Sequence, residues 1–288
     1  MTTVGIVANP TKEGLREVLA LIHGWSRGFG LDVVVDERTP EEALGELEGA
    51  RSSSVEEDSD LIFALGGDGT LLYAARRVAE LSRPTPIIGV NMGSLGFLTQ
   101  IPREDLPEIL ETLDPGGLPV TERMMLRTGL KGGAEEHLAL NDVVIAKGAD
   151  SKMLSFEGRV GGEIVTRYAA DGLVLATPTG STAHSLSAGG PIVTPSVRAL
   201  VATPICPHTL SMRPLVADPD SEFEIEMISC DDRALVTTDG VRAFGLRQGD
   251  TVLVSRADVT THLVDVAGYS YYEILRRKMR WAGRVRER

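Results

Sequence analysis

From Val4 to Leu113 short aliphatic runs alternate with longer segments of helical period, a pattern that few folds accommodate. Val4 to Ala8 reads as a buried strand ending at Asn9-Pro10. Leu15, Val18, Leu19, Ile22 and Trp25 then share one helix face. Leu31 to Val35 gives a second strand, Glu41 to Leu47 a short helix, and Arg51 to Asp60 a polar loop. Leu61 to Leu65 and Pro86 to Val90 are two more strands, with an amphipathic segment (Leu71, Leu72, Ala75, Val78, Ala79) between them. Glu104 to Leu113 is a further helix. Strands alternating with helices imply a parallel sheet with helices packed on it. Such sheets bind ligands outside the carboxyl ends of their strands. Asn9, Gly66 to Thr70 and Asn91 to Thr99 all follow strand ends and are expected to converge.

The turn after the third of these strands reads Leu65-Gly66-Gly67-Asp68-Gly69-Thr70. Three glycines around one acid open backbone conformations closed to other residues and let a bulky ligand come close. A branched side chain at Gly67 is therefore expected to strain the turn or block the ligand. The turn's amides and the start of the next helix favour an anion such as phosphate, so Gly66, Gly67, Gly69 and Thr70 are candidates for a phosphate loop. A carboxylate does not help to bind phosphate, because like charges repel. Asp68 is better explained by a hydroxyl or a metal ion beside the phosphate, as phosphoryl transfer onto an alcohol requires. It could also simply close the turn.

After Asp114-Pro115-Gly116-Gly117 the pattern changes to short apolar runs separated by Gly and Asp. Glu222 to Met227 alternates strictly, the mark of a half-buried antiparallel strand. Val143 to Ala146, Leu173 to Ala176, Ala234 to Thr237 and Thr251 to Val254 are further strands. The expected division is an α/β nucleotide-binding domain at 1–119 and a β-rich domain at 120–262, with the tail 263–288 packing back on the first. That tail carries Arg276, Arg277, Lys278, Arg280, Arg284, Arg286 and Arg288. A solvated surface helix explains it, as does a phosphate-attracting or intersubunit role.

A formal charge of −12 argues against a general nucleic-acid binder. It also means that an anionic substrate must be held by local donors against an unfavourable overall field. Two cysteines, Cys206 and Cys230, form neither a disulfide framework nor a structural zinc pattern. No leader-like segment and no apolar run of spanning length is evident, so a cytoplasmic protein with no membrane partner is expected. No P-loop of the Gly-x-x-x-x-Gly-Lys type occurs, and no Gly-x-Gly-x-x-Gly follows a strand.

A second signal runs from Asp171 to Pro191. A strand enters Thr177-Pro178-Thr179-Gly180-Ser181-Thr182-Ala183-His184-Ser185-Leu186-Ser187, a turn dense in hydroxyls and small residues. Hydroxyls and amides can bind phosphate or ribose without adding charge, although Ser and Thr also favour ordinary capped turns.

Taken together, these segments resemble the NAD kinase family, the ATP- or polyphosphate-dependent NAD 2′-kinases. The resemblance runs from Val4 to about Gly268. It rests on Gly66-Gly67-Asp68-Gly69-Thr70, on Asn91-Met92-Gly93-Ser94-Leu95-Gly96-Phe97-Leu98-Thr99, on Asn141-Asp142, on Thr177 to Ala183 and on His208 to Pro214. The first motif alone is shared with lipid kinases and phosphofructokinases; the full set in this order is highly specific. It implies an α/β N-terminal domain like that of diacylglycerol kinases and phosphofructokinases, a β-rich domain for NAD binding and oligomerisation, and a cleft between them.

The resemblance implies that Asp68 is the catalytic group facing the adenosine ribose 2′-hydroxyl. Since a ribose hydroxyl is a far weaker acid than a carboxylic acid, Asp68 is expected to orient it and to take its proton late. Asn141 and Asp142 are implied to contact the adenosine portion of NAD, Asp142 being one methylene shorter than the Glu usual in the family. A plain turn also explains this pair. Phe97 and Leu98 resemble positions that pack on adenine, though core packing accounts for them too. Gly69, Thr99 and Thr182 would add amide or hydroxyl contacts. Asp171, Ala183, His184 and Ser187 match positions that receive the nicotinamide-ribose half, near a subunit interface. His184 stands where the family often has Tyr, which introduces an ionisable ring. His208 matches a recurrent family His, and His23, His137 and His262 read as incidental. A divalent cation, Mg²⁺ above all, is implied as cofactor, with ligands that spacing does not locate. NAD and ATP or polyphosphate are the implied substrates, and a homodimer or homotetramer the implied assembly.

Two other classes fit part of the pattern. A lipid or sphingoid kinase shares the Gly-Gly-Asp-Gly-Thr loop, but Thr177 to Gly190 is too rich in hydroxyls for an alkyl pocket. A nucleotide sensor could keep the pocket and lose turnover, against which the retained Asp68 argues.

Overall fold

The computed structural model describes residues 1–39, 49, 51–148, 151–230, 233–266 and 268–281. The chain divides into two units, Met1–Glu122 with Thr261–Arg288, and Arg123–Thr260.

In the first unit the strands are β1 (Thr3–Ala8), β2 (Asp32–Asp36), β3 (Arg51–Ser53), β4 (Leu61–Gly66), β5 (Ile87–Asn91) and β6 (Ile101–Pro102). The helices between them are α1 (Leu15–Gly28), α2 (Val55–Asp58), α3 (Asp68–Glu80) and α4 (Leu106–Thr112). The spatial order is β3-β2-β1-β4-β5, with every pairing parallel. β1, β4 and β5 are buried at every position, as a parallel strand flanked by helices demands. α1 buries Leu15, Val18, Leu19 and Ile22, and Trp25 meets Phe63 edge-on at 5.8 Å. Each such fully buried side chain stabilises the unit by about 1.5–3 kcal/mol. α3 buries Leu71, Ala74, Ala75, Val78 and Ala79. Leu72 is only half-buried, because one residue rotates the helix by about 100° and turns it off the apolar stripe.

The strand order reverses between β1 and β4, where Ala8 lies beside Leu65 in register. Chain connections leave this point in opposite directions, which opens a crevice beyond the carboxyl ends. The loops of interest therefore start from one place.

The expected helix from Glu41 to Leu47 lies outside the described residues. Two other local expectations need adjustment. The polar stretch from Arg51 to Asp60 contains β3 and α2, too short to show a period. The Glu104 to Leu113 helix is a 3-10 turn (Arg103–Asp105) followed by α4, with Pro107 in the first turn, where its missing N–H breaks no helical bond.

In the second unit, neighbouring strands along each of two runs pair antiparallel. The strands are β7 (Val120–Leu130, starting in the first unit), β8 (His137–Ala139), β9 (Asp142–Ala146), β10 (Leu154–Val160), β11 (Glu163–Ala170) and β12 (Gly172–Ala176). After a one-turn helix α5 (His184–Ser187) come β13 (Leu200–Ile205), β14 (Leu215–Ala217), β15 (Phe223–Ser229), β16 (Leu235–Thr238), β17 (Val241–Gly245) and β18 (Thr251–Val264). One sheet runs β14-β13-β12-β9-β16-β17, and a second run is β11-β10-β15-β18. β15 buries Phe223, Ile225 and Met227 and leaves Glu224 and Glu226 partly exposed, as its alternation predicts. β18 extends ten residues past the expected Val254, because Ser255, Arg256, Asp258 and Thr260 hide the strand in an apolarity reading. Phe156 stacks on Tyr168 at 4.9 Å in the core between these sheets. β12 is buried throughout, with Leu173 and Leu175 in that core and Val174 and Ala176 in a smaller cluster on its other face. The strand that delivers Thr177 is thus locked from both sides.

The last helix, α6 (Tyr271–Met279), belongs to the first unit and buries Ile274 and Leu275. Arg284, Arg286 and Arg288 of the basic tail lie outside the described residues. Among the described residues no helix is long and apolar enough to cross a membrane.

Candidate active site

In the first unit, β4 passes through Gly66 and Gly67 into α3, whose first residue is Asp68. None of Gly66, Gly67 and Gly69 adopts a left-handed conformation. Gly67 is extended, at φ −123° and ψ −171°, so the expected need for a conformation closed to other residues is not met. These glycines supply space instead. A Cβ on Gly66 would clash with Thr70 Oγ1 and crowd Asn9, while at Gly67 and Gly69 it would meet no atom of the described residues within 4 Å. The loop is open on its outer side, and the first amides of a helix lack intrahelical acceptors.

The Asp68 carboxylate faces the segment after β5. Its Oδ2 accepts the Phe97 amide at 2.8 Å. Its Oδ1 accepts the Leu98 amide at 3.0 Å, the Thr99 amide at 2.9 Å and the Thr99 hydroxyl at 3.0 Å. Gly96 is required there, since a Cβ would collide with Asp68 Oδ1. Asn91 shapes the same loop from its other end. Its Nδ2 donates to Ser94 O at 2.7 Å and to Thr99 Oγ1 at 3.1 Å, and its Oδ1 accepts the Gly93 amide at 2.8 Å. Asn9 N donates to Leu65 O, and Met92 N to Gly66 O, both at 2.8 Å. The three strand-end segments expected to converge do so. Phe97 and Leu98 are half-buried and Thr99 fully buried.

A cavity of about 550 Å³ opens at this switch point, lined in part by Asn9, Lys12, Arg38, Gly67, Gly69 and Tyr73. Arg38 is fixed there. Buried Asp36 accepts its Nε at 2.7 Å, and its guanidinium lies over the Tyr73 ring at 3.3 Å. Burial, then the Asp36 charge, raises the Tyr73 phenol above its ordinary range. Lys12 and Arg38 put positive charge beside the glycine loop of an acidic protein, which meets the electrostatic objection raised by its net charge. Neither belongs to a motif with a sequence signature, so sequence reasoning missed both.

The second unit gathers the other candidates. β12 leads into a 3-10 turn (Thr179–Thr182) and then α5. Thr177 N donates to Asn141 O at 2.9 Å, its hydroxyl to Leu140 O at 2.6 Å, and Gly180 N returns to Thr177 Oγ1 at 3.0 Å. A Cβ on Gly180 would strike the Asn141 carbonyl, so the glycine allows the two loops to touch. Asp142 is fully buried, and its carboxylate is engaged by His184: Oδ1 lies 3.0 Å from Nδ1 and Oδ2 accepts the backbone amide at 3.3 Å. That hydrogen bond raises the His184 imidazole pKa, against an opposing effect of burial. In this structure, then, Asp142 orients His184. Asp171 pairs with Lys147 at 2.8 Å. Thr182 and Ala183 are half-buried, and the His184 side chain and Ser187 are exposed. Among the described residues no three His, Cys, Asp or Glu side chains are grouped as a metal cage would group them.

Comparison with known proteins decides the family. Residues 4–116 match the model of the ATP-NAD kinase N-terminal domain, and residues 140–266 that of the ATP-NAD kinase C-terminal domain. The NAD kinase of Geobacter sulfurreducens is 42% identical over 99% of this chain and 100% of its own. The chain belongs to the NAD kinase family. A second member, from Desulforamulus reducens, is 39% identical over 97% of this chain and 98% of its own. Among solved structures, yeast NADH kinase complexed with NADH superposes with a TM-score of 0.89 at 27% identity, covering 100% of this chain and 90% of that one. An NAD kinase from Archaeoglobus fulgidus in complex with ATP gives 0.76 at 24% identity over 98% and 100%, a likeness of fold. Membership makes the chain an enzyme, a phosphotransferase acting on NAD.

Proposed function

We propose that the chain transfers the terminal phosphoryl group of ATP, or of polyphosphate, to the 2′-hydroxyl of the adenosine ribose of NAD, giving NADP. The hydroxyl oxygen forms a bond to phosphorus, the bond from that phosphorus to the bridging oxygen of the donor breaks, and the hydroxyl proton passes to Asp68. The observation that carries this reading is the seating of Asp68. One carboxylate, at the first turn of a helix beside an open glycine loop, is held in orientation by three backbone amides and a hydroxyl. Among the described residues its Oδ2 takes a single donor, which leaves a lone pair for the ribose hydroxyl. A carboxylate so fixed orients its alcohol partner and accepts the proton as the phosphorus–oxygen bond forms.

Gly66, Gly67, Gly69 and Thr70 form the phosphate loop in this reading, with Lys12 and Arg38 neutralising donor oxygens. Phe97, Leu98 and Thr99 serve adenine and its ribose. Asn141 and Thr182 bind the adenosine portion, and the buried Asp142 holds His184 in place. Asp171, Ala183, His184 and Ser187 hold the nicotinamide-ribose half. NADH complexed with the yeast relative and ATP with the archaeal one support these two ligand classes. Mg²⁺ enters with the donor as part of the substrate. Such a metal keeps several waters and needs one or two carboxylates at most beside the phosphate oxygens, and Asp68 is the carboxylate at the glycine loop. The bound cation would neutralise charge developing on the transferred group. A cytoplasmic homodimer or homotetramer completes the proposal.

The test is incubation of the full chain with MgATP or polyphosphate and with NAD, NADH or diacylglycerol. NADP is the expected product, abolished by a chelator. Lipid phosphate, or NAD binding without product, would each overturn the reading.

A further inference from the structure

Asp239 stands outside every motif considered so far, yet it organises the second unit's candidate residues. It occupies the two-residue connection between β16 and β17, where Thr238 pairs with Val241. Asp239 and Gly240 both lie in the left-handed region, at φ 49° and 78°. That is the geometry of a type I′ hairpin, which favours Asp-Gly. The turn directs the carboxylate onto the loop between β8 and β9. Oδ2 accepts the Leu140 amide at 2.8 Å, and Oδ1 accepts those of Asn141 at 2.7 Å and Asp142 at 3.2 Å. The Asp239 amide in turn donates to Asp142 O at 3.0 Å. Three successive amides converging on one anion form a nest, here filled by the protein's own side chain.

Three consequences meet at this nest. It fixes the peptide of Asn141, whose side-chain Oδ1 is buried with no hydrogen-bond partner among the described residues. It sets the Asn141 carbonyl that receives Thr177 and lies against Gly180. Through Asp142 it sets both the ring and the amide of His184. We infer that Asp239 is a positioning residue for the dinucleotide: it touches no substrate, but it presents Asn141, the Thr177–Gly180 turn and His184 as one rigid surface. This rests on the reading above, in which those residues face NAD.

Asp239→Asn keeps one oxygen for Asn141 and Asp142 and sets an NH₂ against the Leu140 amide; Asp239→Ala empties the nest. Steady-state kinetics of the full chain with MgATP and NAD should show the NAD KM raised about tenfold in Asp239→Asn, and further in Asp239→Ala. The ATP KM should stay within about twofold, and kcat at saturating NAD within about threefold. That split separates positioning from a merely structural loss, which would lower the active fraction without moving one KM. Gly240→Ala, which strains the same turn and leaves the carboxylate in place, should raise the NAD KM about threefold and covers the case in which the Asp239 variants do not fold. A wild-type NAD KM in the folded variants, or equal loss of both KM values, overturns the proposal. Wild-type protein that makes no NADP overturns the functional reading instead.

Discussion

Asp68 and Asp239 each commit a carboxylate to three consecutive backbone amides, Phe97 to Thr99 for one and Leu140 to Asp142 for the other. They arrive there from different local structures. Asp68 opens a helix, beside glycines whose outer side is open. Asp239 sits in a left-handed hairpin turn, and burial pushes its carboxyl up to about 6 despite the three amides, with the neighbouring Asp142 charge adding to the rise. The same hydrogen-bond pattern thus serves two ends. At Asp68 it leaves a carboxyl group oriented beside an accessible loop; at Asp239 it fills a nest that braces other residues.

Removing the open-loop acid should have the largest effect. Asp68→Asn is expected to lower kcat by about 10²–10⁴, the range of a positioned acid–base group. Because the new NH₂ must face the Phe97 amide, stability should also fall by about 1–3 kcal/mol, the cost of an unsatisfied donor. Kinetics and chemical denaturation on one preparation check both. A variant that loses stability and keeps its kcat would reduce Asp68 to a loop brace like Asp239.

Displacing the acid without deleting it should cost less. In Gly96→Ala the added methyl collides with Asp68 Oδ1, and kcat should fall about 10–10²-fold, as misplacement by an ångström does. Wild-type kcat in that variant would mean that the carboxylate's exact seat is unimportant.

The braced acid should show itself in the pH dependence of stability. Its raised carboxyl binds a proton in the folded state that the unfolded chain has lost, so the folded state is disfavoured as pH rises from about 4 to 6, and the cost is fully present above that. Asp239→Asn removes this titration. The stability of wild type relative to the variant should therefore decline across that interval and level off, read as denaturation midpoints against pH. His184, raised by Asp142, acts in the same sense at higher pH: its contribution is complete below 6.5 and is lost as pH climbs through its folded value. Asp60, lowered mainly by the Thr2 amide, acts oppositely in both proteins and cancels in the difference.

The smallest structural effect is expected at Gly67, where a side chain meets open space in an extended backbone. Gly67→Ala should leave stability within about 0.5 kcal/mol. Any loss of donor affinity in that folded variant then measures ligand approach alone, and a large stability loss would contradict the open-loop description.

Much of this was legible beforehand. Continuous aliphatic runs with helical segments between them specify a parallel sheet, because only strands covered on both faces can be apolar throughout. The strict alternation of Glu222 to Met227 likewise gave the antiparallel half. Gly66 to Thr70, Asn91 to Thr99 and Thr177 to Ala183 could be placed at strand ends, since glycine and hydroxyl clusters mark turns wherever they occur.

Period, turn chemistry and family can thus be read along the chain: which residues lie on strands and helices, and where the chemistry-bearing loops begin. What each acid holds follows from the folded arrangement alone. Asp68 meets amides 29 to 31 residues away, Asp142 turns inward to a histidine 42 residues on, and Asp239 reaches back across 97 to 99 residues. The physical reason is that hydrophobic period and turn chemistry are local properties of the chain. A side chain's partner, by contrast, is set by strand order and register, which bring together loops that carry no local record of one another.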